Sequence, residues 1–381
     1  MSDSSDKGSA AKGSVMQGTG ADTLVAARPA PDSRHGVVGW MRTRLFNGPL
    51  NSLISLVTLA LLVWGLTPLV QWALIDADWL GDSREACSGE GACWVFISAR
   101  FETIVYGFYP AAERYRVDIT LALMAATIAW LAIPRMPARR WVVVFALIGF
   151  PVIAWLLLVG GVFDLPYVPT RRWGGLMLTL TVATVGIVGS LPLGVILALG
   201  RRSKMPLVRS LCIVFIEFWR GVPLITVLFM ASVMLPLFVP SEVEFNKLLR
   251  ALIGIMFFWS AYMAEVVRGG LQAIPKGQEE AAKALGLSYW RRMGLIILPQ
   301  ALKLVIPGIV NTFIALFKDT SLVLIIGLFD LLAIIRAGLT DTDWLGFATE
   351  GYVFAALMFW VFCFSMSRYS QYMERRLHRG H

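Results

Sequence analysis

Two pairs of opposite charges interrupt long apolar stretches of the chain. Glu217 precedes Arg220 by three residues, and Glu265 precedes Arg268 by three. Residues three apart share a helix face, and a charge within a membrane needs a partner or a water-filled path. Two interpretations of the first pair stay open. Either Arg220 receives a substrate carboxylate that Glu217 helps to orient, or the two form a structural ion pair beside a helix break at Gly221. For Glu265 and Arg268 we favour a structural brace at the base of the segment that follows.

A third charged site, Lys318 and Asp319, falls within an apolar stretch that is too long for one straight membrane crossing. A broken helix is therefore predicted here, and its free backbone groups need partners. Transporters use such breaks as binding sites. A zwitterionic ligand needs an acceptor for its cation, so Asp319 is a candidate to hold an ammonium group. The alternative is a salt bridge that stabilises the break.

A charged segment rich in small residues, 275–298, separates two apolar stretches. Its patterned residues are Glu280, Ala281, Ala282, Gly286 and Pro299. The alanines predict a short helix over 278–285 with a small side that another protein can approach closely. Gly286 suits the left-handed position after a helix end, and Pro299 suits the first turn of the next helix. Two short helices at an angle would project from the membrane and enter a groove on a partner.

The second of these short helices follows Ser288, which is predicted to cap it. Trp290, Met293 and Ile297 fall on one stripe of that helix. The stripe is predicted to lie against the membrane bundle.

Composition places these residues in a polytopic, all-α membrane protein. The chain has 381 residues, of which 57% are hydrophobic and only 15% charged. A membrane helix needs about 20 mostly apolar residues. Eight such spans are predicted, at about 51–75, 118–134, 142–163, 174–200, 206–239, 248–274, 299–333 and 348–371.

The chain is predicted to divide near residue 172, because the buried-looking charges occur only after it. Residues 1–45 are expected to form a disordered tail. Three transmembrane helices follow over 46–172 with an external loop at 76–117, then a transport core over 173–372 and a short tail at 373–381.

The distribution of basic residues sets the predicted orientation. The formal net charge is +9. Lys and Arg are retained on the cytoplasmic side, so the basic segments 135–140, 201–204 and 275–298 and both termini are placed in the cytoplasm. Arg171 and Arg172 are an exception on the external side. This topology explains the charge without nucleic acid, which is not expected as a partner.

Four cysteines occur in two different settings. Cys87 and Cys93 lie in a polar, glycine-containing loop that can close, so a disulfide is predicted if this loop is external; two free thiols are the alternative. Cys212 and Cys363 lie within apolar stretches and are expected to be packing residues.

Taken together, these patterns resemble a known family. The segment 275–298 resembles the coupling loop of ABC-importer permeases. The stretches 216–224, 261–278 and 318–322 are similar to the polar amino acid, or histidine/glutamate, group and cover much of the core. The eight-span length and the loop that ends in 107–116 look like the M-type permease of general L-amino acid importers.

The resemblance implies a five-helix type I importer core and a set of partners. These are a dimeric ATPase that carries ATP and Mg and docks at the coupling segment, a second, Q-type permease, a periplasmic amino-acid-binding protein, L-amino acid substrate and membrane lipid. It implies translocation by alternating access across the bacterial inner membrane.

No motor or metal site is visible in the sequence itself. It contains no Gly-x4-Gly-Lys-Ser/Thr phosphate loop and no His/Cys cluster of metal-binding spacing. We therefore expect neither an enzyme nor a cofactor of its own. Two competing hypotheses are an ion-coupled secondary amino acid transporter that acts without an ATPase and a membrane scaffold. The scaffold would leave the charges of the core unexplained.

Overall fold

A computed structural model of the protein describes residues 36–133, 136–238 and 246–378. Within them the chain is predominantly helical and divides after Gln71 into two compact units. Most of the predicted disordered tail, 1–35, lies outside the described residues, as do 134–135, 239–245 and 379–381. Parts of the predicted basic loop at 135–140 and of the C-terminal tail are therefore not tested.

The first unit contains α1 (Val37–Arg44) and the greater part of the first membrane span, α2 (Pro49–Val70). Helix α1 falls within the tail for which the sequence predicts disorder, so the tail is not uniformly irregular. Pro49 occupies the first turn of α2, where a helix needs no N–H donor. No side chain of α2 is buried, which suits a helix surrounded by lipid.

The second unit contains fifteen further α-helices among the described residues. They are α3 (Val95–Tyr106), α4 (Arg114–Ala132), α5 (Arg139–Val144), α6 (Phe150–Val159), α7 (Gly175–Arg201), α8 (Pro206–Gly221), α9 (Leu224–Phe229), α10 (Leu235–Phe238), α11 (Lys247–Ala273), α12 (Lys276–Ala284), α13 (Tyr289–Arg292), α14 (Leu298–Leu304), α15 (Ile306–Asp319), α16 (Leu331–Leu339) and α17 (Ala348–His378).

Seven helical stretches of the described chain are long and apolar enough to cross a membrane, and a bent pair makes an eighth candidate. The seven stretches are Pro49–Ile75, Ala111–Ala132, Arg139–Val159, Gly175–Arg201, Lys247–Ala273, Ile306–Ile326 and Ala348–Arg376. The bent pair, Pro206–Gly221 with Leu224–Phe238, changes direction by 101°. The eight predicted spans all have a counterpart, and the fold class is confirmed.

The centre of the second unit is the contact between α7 and α11. Small residues on α7 allow this contact, because a Cβ atom on Gly189 would lie 2.4 Å from the Met256 sulfur and one on Gly194 would lie 2.6 Å from the Met263 Cβ. Small residues bring membrane helices close enough for dispersion contacts along their length. This close contact therefore fixes the positions of α7 and α11 relative to each other.

Helices α4 and α6 pack on the same core. Val117 of α4 and Leu158 of α6 belong to one buried cluster with Met177 of α7. Arg116 is completely buried between these helices, where its Nε donates to the Leu157 carbonyl at 2.6 Å and its Nη1 to the Pro166 carbonyl at 2.9 Å. Residue 172 is therefore not a packing boundary, and its role as a functional boundary stays a prediction.

The segment 76–117 makes a close contact with the core through a pair of glycines. A Cβ atom on Gly107 would lie 2.4 Å from the Gly174 Cα, so no larger residue fits there. Gly174 in turn forms a short parallel bridge with Phe329. Helix α3 packs beside this crossing, where Phe96 contacts Trp344 with ring centroids 5.5 Å apart.

Candidate functional site

The predicted coupling segment folds as a short helix with a defined end. Helix α12 begins after Pro275 and ends at Ala284. The Gly286 N–H donates to the Lys283 carbonyl and the Leu287 N–H to the Ala282 carbonyl, which is the Schellman pattern of helix termination. Gly286 has φ +72°, the left-handed conformation that glycine adopts without steric cost.

One side of α12 is free and carries small residues. Gly277, Glu280, Ala281 and Ala284 are exposed and follow the i, i+3, i+4, i+7 spacing of a single helix face. Glu280 has no hydrogen bond or ion pair with another described residue. Ala282 is different, because it is 2% exposed and packs inward. The small face therefore consists of Ala281 and Ala284, and the prediction that Ala282 belongs to it is wrong, because Ala282 is buried.

Polar contacts hold α12 in place. Glu279 lies 3.2 Å from Lys283, 3.8 Å from Arg292 and 3.9 Å from Arg202. Gln278 accepts a hydrogen bond of 2.8 Å from the Gln300 amide. These contacts connect α12 to the end of α7 and to the helices that follow, so a force on α12 reaches the membrane helices on both sides.

The second helix of the segment agrees only partly with the sequence prediction. Met293 and Ile297 are buried as predicted, but Trp290 is 73% exposed. A π-helical turn covers Met293–Ile297, whereas Trp290 lies before it on α13, so the buried stripe begins only at Met293. Ser288 caps no backbone N–H with its side chain. Pro299 lies in the first turn of α14, as predicted.

The four paired charges of the core belong to one network. Arg201, at the end of α7, donates from Nη1 to the Glu217 carboxylate and to the Glu265 carboxylate, each at 2.9 Å. Arg268 donates to the other oxygen of Glu265 at 2.7 and 2.9 Å. The network joins α7, α8 and α11. No local spacing predicts the pairing of Arg201, because it lies 16 and 64 positions from its two acidic partners.

Within this network the two predicted pairs differ in strength. The Glu265–Arg268 pair is bidentate, whereas Arg220 and Glu217 are 4.0 Å apart and both more than one third exposed. Arg220 lies over the Tyr262 ring, with 5.7 Å between its guanidinium carbon and the ring centroid. Glu217 therefore pairs chiefly with Arg201, and the Arg220 guanidinium is left with donors to spare.

The predicted break at Lys318 and Asp319 is replaced by a change of helix type. Helix α15 ends at Asp319 and continues directly as a 3-10 helix over Thr320–Ile326, so Ile306–Ile326 is one helical stretch. Neither charged side chain forms a hydrogen bond or an ion pair with another described residue. The salt bridge proposed for this break is therefore absent from the described residues, and Asp319 is a half-buried carboxylate without a partner. The structure shows no contact between these two residues and the Arg201 network.

The cysteine loop is closed. Cys87 and Cys93 form a disulfide, and the Cys93 N–H donates to the Glu350 carboxylate at 3.3 Å. Arg100 of α3 forms an ion pair with Asp341, which lowers the pKa of that carboxyl. The disulfide thus closes segment 76–117 on itself, and the segment is fixed to α17 by the hydrogen bond to Glu350 and to the loop before α17 by the Arg100–Asp341 ion pair.

Two buried groups were not singled out from the sequence. Asp330 is fully buried and accepts hydrogen bonds from the Leu332 and Ala333 N–H groups at the start of α16. Burial raises the pKa of Asp330 to about 6, although the two hydrogen bonds from the backbone act to lower it. Desolvation likewise raises the pKa of Tyr109 to about 12. An Asp before an apolar run is a recognisable cap signal, but its burial depends on the tertiary contacts.

A unit of several apolar helices long enough to cross a membrane, with a braced, exposed helix between two of them, is the arrangement of a membrane permease that works with an external partner. The family model for "Binding-protein-dependent transport system inner membrane component" matches residues 190–379. The described residues contain no group of three or more His, Cys, Asp or Glu that could hold a metal ion.

Similar proteins agree with this class. The inner membrane amino-acid ABC transporter permease protein YhdY of Escherichia coli is 56% identical over 93% of this chain and 96% of its own length. The glutamate/glutamine/aspartate/asparagine transport system permease protein BztC of Rhodobacter capsulatus is 40% identical over 94% and 98%. A crystal structure of an amino acid ABC transporter with histidines has 28% identity and a TM-score of 0.47, covering 53% of this chain and 92% of that one.

The chain belongs to the inner membrane permease family of binding-protein-dependent ABC transporters. It is a permease subunit. No observation favours the alternative of an ion-coupled transporter that acts alone.

Proposed function

We propose that this chain translocates L-amino acids inward across the bacterial inner membrane by alternating access, driven by an ATPase dimer that docks on α12. The observation that carries this proposal is the exposed face of Glu280, Ala281 and Ala284 on a helix braced by Glu279. A small face permits close approach of a groove, and the brace transmits its movement to the spans. ATP and Mg belong to the ATPase, and this chain binds no cofactor.

The other partners follow from the family. The family's description includes a binding protein, and the two relatives above are named for amino-acid transport. We therefore propose an external amino-acid-binding protein and a second, Q-type permease as partners, with both termini in the cytoplasm. The basic ends of the spans support this orientation.

Two sites are proposed for the amino acid on its path. Asp319 is a half-buried carboxylate without a partner among the described residues, which suits an ammonium group. Arg220 has unused donors, which suit a carboxylate. Glu217 keeps a supporting role, since Arg201 already binds it.

Co-purification tests the docking face. The tagged chain is extracted from its own membranes in mild detergent, and its companions are identified by mass spectrometry for wild type and for Glu280→Arg. We expect an ATPase and a second permease with the wild type and loss of the ATPase alone from the variant, because a reversed charge on the free face of α12 opposes docking without breaking an internal contact.

The matched control is Glu85→Arg, which reverses an exposed carboxylate that makes no ion pair and lies in the 76–117 segment, away from α12. It should retain every partner. A wild-type chain that purifies alone, in a detergent that preserves other such complexes, would contradict the proposal, and so would an ATPase that stays with Glu280→Arg.

A further inference from the structure

A basic pocket lies where four helices meet at one end of the bundle. It has a volume of about 440 Å³ and is formed by the end of α7, the first turns of α8, the end of α11 and the start of α12. Its cationic lining consists of Arg201, Arg202, Arg209, Arg268 and Lys276. No carboxylate lines it. Because so many positive charges face one pocket, the pocket favours the binding of an anion.

The carboxylates around the pocket neutralise only part of this lining. Glu265 pairs with Arg201 and Arg268, and Glu217 pairs with Arg201 as well. Glu279 lies 3.9 Å from Arg202, but it also lies close to Lys283 and Arg292. Arg209 and Lys276 contact no carboxylate among the described residues.

The pocket also has an apolar part. Ile213, Leu271 and Ile274 line it beside the cations. The opposite face of α8 exposes Leu207, Leu211 and Val214 by more than 60% each, as a surface in contact with lipid does. A ligand with an anionic head and a hydrocarbon part fits this combination better than a small soluble anion, which would leave the apolar lining in contact with water.

We propose that this pocket binds the phosphate headgroup of an anionic phospholipid. Arg209 and Lys276 supply free cations for the phosphodiester, and Arg202, whose Nη2 is 3.9 Å from Glu279, lies beside them. The basic ends of the spans place the pocket at the membrane surface where anionic headgroups lie, and basic pockets between helices at that depth recognise such groups. The inference concerns lipid binding alone and does not depend on docking of the ATPase at α12.

Lipid titration of the full-length chain in detergent, followed by native mass spectrometry, tests the pocket. The probes are dioleoylphosphatidylglycerol and the zwitterionic dioleoylphosphatidylcholine. The wild type should prefer the anionic lipid. Arg209→Gln with Lys276→Gln should weaken its binding about 10-fold or more, since each cation near a headgroup contributes roughly 1 kcal/mol.

The matched control is Arg291→Gln with Lys303→Gln, which removes the same charge from exposed residues outside the pocket. It should bind phosphatidylglycerol like the wild type. The charge-conserving double variant Arg209→Lys with Lys276→Arg is a control for folding and should retain the preference for the anionic lipid. Size-exclusion profiles show whether each chain is intact.

Three results would overturn the assignment. Equal weakening in the pocket and control variants would mean general electrostatic attraction. Equal affinity for the two lipids would mean that the headgroup charge is not recognised. Displacement of phosphatidylglycerol by millimolar inorganic phosphate, with the same dependence on Arg209 and Lys276, would assign the pocket to a soluble phosphate.

Discussion

Arg201 and Glu217 lie on different helices, yet their Nη1 and Oε1 atoms are only 2.9 Å apart. Because the same nitrogen also binds Glu265, Arg201 joins two acidic residues that are 48 positions apart in the sequence. The end of α7 is thereby fixed to α8 and α11 at one point. A change at Arg201 therefore affects three helices, whereas a change at Arg220 affects mainly its own.

A double-mutant cycle should measure this difference. For Arg201→Gln and Glu265→Gln we expect a coupling of about 1–3 kcal/mol in the free energy of unfolding, since charged hydrogen bonds in partly buried sites have this magnitude. For Arg220→Gln and Glu217→Gln the coupling should be below about 1 kcal/mol, because both side chains are well exposed. Thermal unfolding in detergent gives both values. Equal couplings would show that Arg201 is not the junction.

Asp319→Asn should abolish uptake of labelled amino acid while the complex still assembles. The substitution keeps the shape of the side chain but removes the negative charge proposed to hold the ammonium group. Asp343→Asn, an exposed carboxylate in the loop before α17, is the control and should transport normally. Reconstituted vesicles with ATP inside provide the assay. Unchanged transport in Asp319→Asn would remove it from the substrate path.

Tryptophan substitutions on the two sides of α12 should have opposite effects. Ala282→Trp forces a large ring into a fully packed site and should lower the yield of folded chain, because overpacking costs about 1–3 kcal/mol or more. Ala284→Trp lies on the free face and should leave the chain folded but unable to retain its ATPase. Fluorescence-detected size exclusion and co-purification distinguish the two. A folded Ala282→Trp chain, or an Ala284→Trp chain with its ATPase, would contradict the assigned faces.

The buried Asp330 should make the stability of the chain depend on pH. Its pKa is about 6 in the folded state and 3.8 in the unfolded state, so the folded chain keeps the proton to higher pH. The resulting stabilisation is complete below pH 3.8 and is lost as the pH rises through 6. Its size is about 3 kcal/mol, an order-of-magnitude value from the shift between those two pKa values. Unfolding of wild type and Asp330→Asn between pH 4 and 7 measures it.

Asp330→Asn retains a side-chain oxygen that can cap α16, so its fold should be preserved. Its stability should vary less with pH across this range than that of the wild type. The same pH dependence in both chains would assign the effect to another group.

The local features of the coupling segment follow from the sequence. Gly286 ends α12 and Pro299 begins the next helix, because both depend on backbone preferences that act within a few residues. The inward position of Ala282 and the exposure of Trp290 depend on tertiary packing, which a regular helical repeat does not anticipate.

Long-range pairings were beyond the sequence analysis for a different reason. The predicted pairs rest on i, i+3 spacing, which joins Glu265 to Arg268 but does not include Arg201. The same limitation applies to Glu279, whose only partner at helical spacing among the described residues is Lys283. Its contacts with Arg202 and Arg292 depend on how the segment folds back.

Because Phe96 contacts Trp344, the packing of each half of the polypeptide depends on the other half. Helix α3 covers apolar side chains of α16 and α17. A gene shortened to the permease core would therefore encode a product in which these apolar side chains are exposed. Genetic loss of the first half would therefore have to be accompanied by compensating polar replacements in the second.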